Sequence, residues 1–392
     1  MSLSQNGCHR KAWGQQSLDL YCHTMTIPKD FRIFQFIVLL IGSGFLYKVI
    51  YQNSNVPYLS YIFTEGTGQY SLNENLLVPQ EKSEHVSENT MEPIKSKRQG
   101  VEDILNKEDG VIFLETTDTM QPKPLVLCAV ESAARVYQDR PVVFFMKGLT
   151  EMDLKDEENS LYKYFPTLSS LDNLYIFPLI ADDIFTSTPL LSWYKKINPE
   201  KEIYWIHILA DSCRLALIWK YGGIYMDTDI ISLRPIPHEN FLAAEYPRTS
   251  SNGAFGFSAR HNFTWKCMED FVQNYDGEIW GNQGPFLFTR VIRKLCDLPE
   301  FEGAEDISCG NISFLNPQRF YPIAYGYWRD LYAVWDPLPS FSDSFAVHLW
   351  NYMNQFENRT MVPGSNTLVE HLYKKHCPST YGALQRNESI YL

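Results

Sequence analysis

Between Trp205 and Asp229 the chain passes through a stretch of helix length, WIHILADSCRLALIWKY, two glycines, a short apolar run and two acids separated by one residue. The long segment is apolar nearly all round, so as a helix it has to be buried. Gly222 and Gly223 end it, where glycine supplies the left-handed cap. Ile224 to Met226 then reads as a strand, with Asp227-Thr228-Asp229 at its carboxyl end. In open α/β sheets that end is where ligands bind. A buried helix feeding a buried strand points to a layered α/β fold.

The preceding residues alternate in the same way. Val111 to Glu115, Pro141 to Met146 and Leu174 to Leu179 read as strands, with a helix around Cys128 to Tyr137. Their unbroken apolar character indicates strands covered on both faces, as in a mostly parallel central sheet. No internal repeat is visible. A folded domain is predicted over 101–392, preceded by a stem over 52–100 whose Asn, Ser, Glu, Gln and Lys content cannot bury enough surface to order it.

Upstream of the stem, Ile33 to Tyr47 (IFQFIVLLIGSGFLY) carries no charge, and Lys48 can snorkel to extend the span to Tyr51. A membrane span needs about 20 residues, so 33–51 predicts a short transmembrane signal anchor. Arg10, Lys11, Lys29 and Arg32 outnumber Asp19 and Asp30 before it, which places 1–32 in the cytosol and the remainder in a lumen. A cleaved signal peptide is the other reading of such a run, but no small-x-small cleavage site follows it. Six of the eight cysteines and four N-x-S/T sequons (Asn262, Asn311, Asn358, Asn387) lie on the lumenal side. Cys128 and Cys213 sit in apolar helical patterns, the setting of buried free thiols; the cysteine pairing itself stays open. A net charge of −12 without a long basic run excludes nucleic acid as a natural partner.

Two carboxylates at i and i+2 of a strand end point to one face and can hold a hard divalent cation, Mn²⁺ or Mg²⁺. Such a cation neutralises a diphosphate leaving group. Asp211 and Arg214 lie one turn apart on the buried helix. They read either as a structural ion pair or as a pair facing a pocket to bind sugar hydroxyls. Trp280-Gly-Asn-Gln-Gly-Pro285 is a glycine-bracketed polar loop; it is either an ordinary turn or a device that holds Asn282 or Gln283 over a reacting sugar. Phe345 to Trp350 (FAVHLW) reads as a late strand with His348 and Trp350 on one face, His348 being a candidate nitrogen ligand. No G-x-S-x-G elbow, phosphate loop or H-E-x-x-H helix competes with these.

The run Ala210 to Pro237 (ADSCRLALIWKYGGIYMDTDIISLRPIP) resembles the D-x-x-R…Y-G-G-x-Y-x-D-x-D core of retaining glycosyltransferases of family 32. FLETT, CAVESAARVY, PVVFFMKGLT, IWGNQGP, NISFLNPQRFYPI and HLWN extend the resemblance, in order, over roughly 101–378. It implies a GT-A type fold with a single Rossmann-like nucleotide-sugar-binding domain. It also implies that Asp227, Asp229 and His348 bind metal, that Asp211, Arg214, Asp227 and Trp350 bind the donor, and that Asn282 and Gln283 lie by the donor sugar as the catalytic residues. The implied donor is UDP-N-acetylglucosamine, the acceptor a terminal β-galactose of a mucin-type O-glycan, the new linkage α1,4 and the location the Golgi membrane. UDP-galactose on a glycolipid or glycoprotein is the alternative within the family, and a non-catalytic lumenal glycan-binding protein the alternative outside it. Retention by same-face attack, with a diphosphate oxygen taking the proton, is the expected route, because the loop offers amides and no acid.

Overall fold

The computed structural model describes residues 100–150 and 164–391, all within one unit, Pro93–Leu392. The cytoplasmic tail, the anchor and nearly all of the stem predicted from sequence lie outside the described residues. Among the described residues no helix is long and apolar enough to cross a membrane.

The first half of the domain is a run of crossovers. Strand β1 (Val111–Glu115) leads into helix α1 (Pro124–Val136), then β2 (Val142–Met146) and β3 (Leu174–Pro178). Helix α2 (Trp205–Tyr221) and β4 (Gly223–Met226) close this half. Pairings β1/β2, β2/β3 and β1/β4 are all parallel. Side chains of β1 alternate between two cores: Val111 and Phe113 pack with α1, while Ile112 and Leu114 pack with α2. This is why the strand is apolar at every position. Gly223 has φ +91°, and a Cβ there would meet the Gly110 oxygen at 2.2 Å, so only glycine lets β4 start flush against the residue before β1.

After the two acids come β5 (Ile230–Ser232), β6 (Phe241–Tyr246) and β7 (Thr249–Phe257). Helices α3 (Asn262–Gln273) and α4 (Pro285–Leu295) follow, then β8 (Ile307–Cys309), β9 (Ile312–Leu315), β10 (Ala346–His348), α5 (Leu368–His376) and α6 (Pro378–Gln385). The main sheet has the order β3-β2-β1-β4-β7-β6-β9-β8, and β10 pairs with β5 in a separate ribbon. The sheet is mixed: four of its seven pairings are parallel, β1/β2, β2/β3, β1/β4 and β6/β9, while β7 is antiparallel to both β4 and β6, and β8 is antiparallel to β9. Beyond β5 the connections β6–β7 and β8–β9 are hairpin turns, too short for the crossover that parallel neighbours require. Because β7 runs against both its neighbours, the carboxyl ends of β1, β4 and β6 lie at one edge of the sheet.

Cys128 is not a free thiol. It is bridged to Cys377, tying α1 to the residue between α5 and α6, and Cys296 is bridged to Cys309. Cys213 and Cys267 are buried and free. The same two regions are joined by Glu131 of α1, which is fully buried and accepts hydrogen bonds from the Ser379 and Thr380 backbone N–H groups and the Thr380 hydroxyl. All four sequon asparagines are exposed.

Candidate active site

The buried helix α2 aims one polar pair at the sheet edge. Arg214 is held at Nη2 by Asp211 Oδ1 at 3.3 Å and at Nη1 by Asp227 Oδ1 at 3.0 Å, and Nη1 also donates to the Asn252 carbonyl at 2.8 Å. Its guanidinium lies 4.5 Å from the centre of the Tyr225 ring, whose hydroxyl donates to Asp227 at 2.7 Å. Asp211 in turn accepts from the Asn252 side-chain amide at 2.7 Å. Both readings of the Asp211/Arg214 pair thus meet here: it is a buried ion pair, and it is wired to the D-x-D. Burial pushes the Asp211 carboxyl up to about 6, against the opposing pull of Arg214 and the Asn252 hydrogen bond.

The two acids converge, though not as a strand. β4 stops at Met226, and the Ile230 N–H donates to the Asp227 carbonyl to close a turn over Thr228 and Asp229. Asp227 keeps a ladder bond from its N–H to the Gly253 carbonyl, and a Cβ on Gly253 would meet Asp227 Oδ2 at 2.8 Å. Asp229 accepts from the Asn351 N–H at 2.8 Å, and His348 Nε2 lies 3.2 Å from its Oδ1. Asp227, Asp229 and His348 each offer one ligand atom within 4.8 Å of the others, a grouping suited to a divalent cation. The Trp350 N–H donates to His348 Nδ1 at 3.1 Å. Neutral His348 therefore carries its proton on Nε2, and ligation through Nε2 would require that proton to move and the Trp350 contact to open.

Trp350 itself lies 4.3 Å from the His348 ring, with its indole N–H donating to the Ile323 carbonyl. Its φ of +53° marks where the chain leaves β10, so the shared face expected of a continuing strand arises here from a turn.

Asn282 and Gln283 are placed differently from a pair of amides leaning over a sugar. Gln283 is 2% exposed; its amide donates to the Phe271 carbonyl and its oxygen accepts from Asn282 and the Asp276 N–H. The Asn282 amide also donates to the Asn274 carbonyl, and its oxygen accepts from Arg290. The loop meets the site through Gly284, where a Cβ would lie 2.9 Å from both Asn252 Nδ2 and Asp211 Oδ2. Trp280 of the same loop stacks on Tyr352 at 4.0 Å and 9°, joining it to the segment that holds Asp229. Tyr225, Asn252 and Gly253 are site residues that pattern reading passed over. Tyr225 sits inside the Y-x-D-x-D run and had a local signal; Asn252 and Gly253 are brought in by β7 and had none.

Residues 124–248 match the glycosyltransferase sugar-binding region containing the DXD motif, and residues 256–384 match the alpha 1,4-glycosyltransferase conserved region. The alpha-1,4-N-acetylglucosaminyltransferase of Homo sapiens is 56% identical over 289 residues, 74% of this chain and 84% of that protein. The lactosylceramide 4-alpha-galactosyltransferase of Homo sapiens is 37% identical over 282 residues, 70% of this chain and 77% of that protein. Among solved structures, the galactosyltransferase LgtC with donor and acceptor sugar analogues overlaps 70% of this chain and 96% of its own at a TM-score of 0.38 and 11% identity, too loose an overlap to argue from.

Proposed function

The chain belongs to the α1,4-glycosyltransferase family, and on that premise we propose that it transfers N-acetylglucosamine from UDP-N-acetylglucosamine, in α1,4 linkage and with the α configuration kept, to the terminal β-galactose of mucin-type O-glycans. The observation that carries the choice of sugar is the identity of 56% to the N-acetylglucosaminyltransferase against 37% to the galactosyltransferase, over 289 and 282 residues. The reading takes the domain as GT-A type, supported by family membership and by the D-x-D at the carboxyl end of β4. It places the enzyme in the Golgi membrane as a single-pass type II protein. The apolar run at 33–47 and the four exposed sequon asparagines support that placement.

The site residues divide the work. Asp227 and Asp229 would hold Mn²⁺ or Mg²⁺, with His348 beside them. A divalent cation bound there supplies positive charge to the departing diphosphate. Asp211 and Asn252 present an acceptor and a donor to sugar hydroxyls, and Arg214 fixes Asp211 relative to Asp227. Asn282 and Gln283 act by holding the loop that carries Gly284 against Asp211. Trp350 contributes a ring wall next to His348. Asp211, Asp227 and Asp229 are each engaged by a cationic or hydrogen-bonding neighbour, which favours same-face attack over a covalent intermediate on one of them.

The test is Mn²⁺-dependent transfer by the full chain, made in a secretory host, from UDP-N-acetylglucosamine and from UDP-galactose to a β-galactoside. Transfer from the first donor alone, giving an α1,4 product and abolished by Asp229→Ala, is the expected result. Transfer of galactose alone would move the protein to its relative's chemistry, and turnover of neither donor would favour a glycan-binding role.

A further inference from the structure

One carboxylate at the same sheet edge has no part in the site described so far. Glu245 stands near the end of β6, whose carboxyl end lies on the same edge as that of β4. Phe241 and Ala243 of β6 pack in the core that holds Tyr321 and Trp350, whereas Leu242 and Ala244 pack in the opposite one. Beyond Ala244 the β6/β7 register shifts, and Tyr246 packs edge-on against Tyr325 on the Trp350 side, so Glu245 stands in a bulge that turns toward Tyr321. The electrostatics agree: the charge of His348 acts on Glu245, and that of Glu245 adds to the effect of burial on Tyr321. Tyr321 in turn reaches over β7, its hydroxyl donating to Ser251 Oγ at 2.6 Å and lying 3.3 Å from where a Cβ of Gly253 would be.

Glu245 is partly buried, and no described residue gives it a hydrogen bond or an ion pair. Every other acid at this edge has such a neighbour: Asp211 has Arg214 and Asn252, Asp227 has Arg214 and Tyr225, and Asp229 has His348 and the Asn351 N–H. Burial raises the Glu245 carboxyl above its ordinary range. A partly buried carboxylate without partners is poorly compensated, and a missing partner supplied by a ligand accounts for its place.

The chemistry of the ligand follows by elimination. A diphosphate is anionic and would be repelled. The cation site is already formed by Asp227, Asp229 and His348, and Glu245 is outside that grouping. The Asp211, Asn252 and Gly284 surface that suits the donor sugar belongs to the α2 side of the sheet. What remains is a neutral polyol approaching from the Tyr321 side. We infer that Glu245 is an acceptor-binding residue, its carboxylate accepting hydrogen bonds from hydroxyls of the incoming sugar next to the one that reacts. This rests on the transferase reading above.

The test uses the full chain and Glu245→Gln, which keeps the shape and removes the charge. With Mn²⁺ and UDP-N-acetylglucosamine, the acceptor KM should rise about tenfold or more, as for one charge-assisted hydrogen bond, while the donor KM stays within about twofold. Deoxy β-galactosides lacking one hydroxyl in turn should lose transfer with the wild type. At one position the variant should show no additional loss, a coupling that a merely structural glutamate would not produce. Saturation-transfer NMR with methyl β-galactoside checks binding without turnover, and its signal should weaken in the variant although the unfolding midpoint is no lower than that of the wild type. An unchanged acceptor KM and NMR signal would overturn the inference, as would a glycosyl adduct on Glu245 after incubation with donor alone. A wild type that transfers sugar while the variant behaves identically defeats this inference and leaves the transferase reading standing. A wild type that neither turns over a donor nor gives a galactoside signal defeats both.

Discussion

Arg214 Nη1 lies 3.0 Å from Asp227 Oδ1, so the buried helix α2 and the acid that opens the D-x-D are joined through a single guanidinium. The same group binds Asp211 one turn earlier, and its side chain is 7% exposed. Asp211 and the D-x-D are therefore held at a fixed separation by one residue.

Replacing Arg214 tests that coupling. Arg214→Met leaves two acids without their shared cation, and breaking a buried pair costs about 3–5 kcal/mol. About 3 kcal/mol is expected in urea unfolding, the low end, because the Asp227 side chain is 29% exposed. Arg214→Lys should recover part of the stability and little of the turnover, since an ammonium cannot fork between Asp211, Asp227 and the Asn252 carbonyl. Full activity in the lysine variant would show that the fork is not needed.

Gly284 and its two polar neighbours in the chain should separate cleanly. Gly284→Ala puts a methyl group 2.9 Å from Asn252 and Asp211, so turnover should fall between about ten- and a hundredfold, as for small misplacements of positioning groups. Gln283→Ala instead empties a buried hydrogen-bonded position and should lower the unfolding midpoint first. If Gln283→Ala kept its stability and lost turnover selectively, its side chain would act directly at the sugar.

The Cys128–Cys377 bridge spans 249 residues of sequence. Cys128→Ser should cost about 2–5 kcal/mol. Peptide mapping without reductant should recover the peptides of Cys128 and Cys377 together, those of Cys296 and Cys309 together, and Cys213 and Cys267 as thiols. Recovery of Cys128 as a free thiol would refute this pairing.

Acid stability should carry a histidine signature. Burial, with Lys375 nearby, lowers His376 from 6.5 to about 4, and burial also lowers His207 and His261. Between those limits the unfolded chain binds more protons, so stability falls as pH drops from about 6.5 toward 4. Asp211, raised from 3.8 to about 6, acts in the opposite sense, because there the native state binds the extra proton. His376→Gln should flatten the decline and Asp211→Asn should steepen it, as read from urea midpoints across that range. An unaltered slope in both variants would show that neither group titrates differently on folding.

Local pattern was enough for the first four strands, for α1 and α2, and for the residues that meet at the D-x-D. Helix α2 was legible to the residue from its all-round apolar character, and β1 from its unbroken apolar run. The D-x-D, the Asp211/Arg214 pair and His348 were legible because their chemistry is carried by residue type and short spacing. Sheet direction beyond β5 was not, since an apolar strand reads alike whether its neighbour runs with it or against it. Nor was the pairing of Cys128 with a residue 249 positions away. The partners of Arg214, the approach of Gly284 to Asp211, the burial of Gln283 and the isolation of Glu245 depend on which strands and loops meet at one edge. Those meetings are long-range contacts, set by packing the two cores on either face of the sheet, and no short window of the chain contains both sides of them.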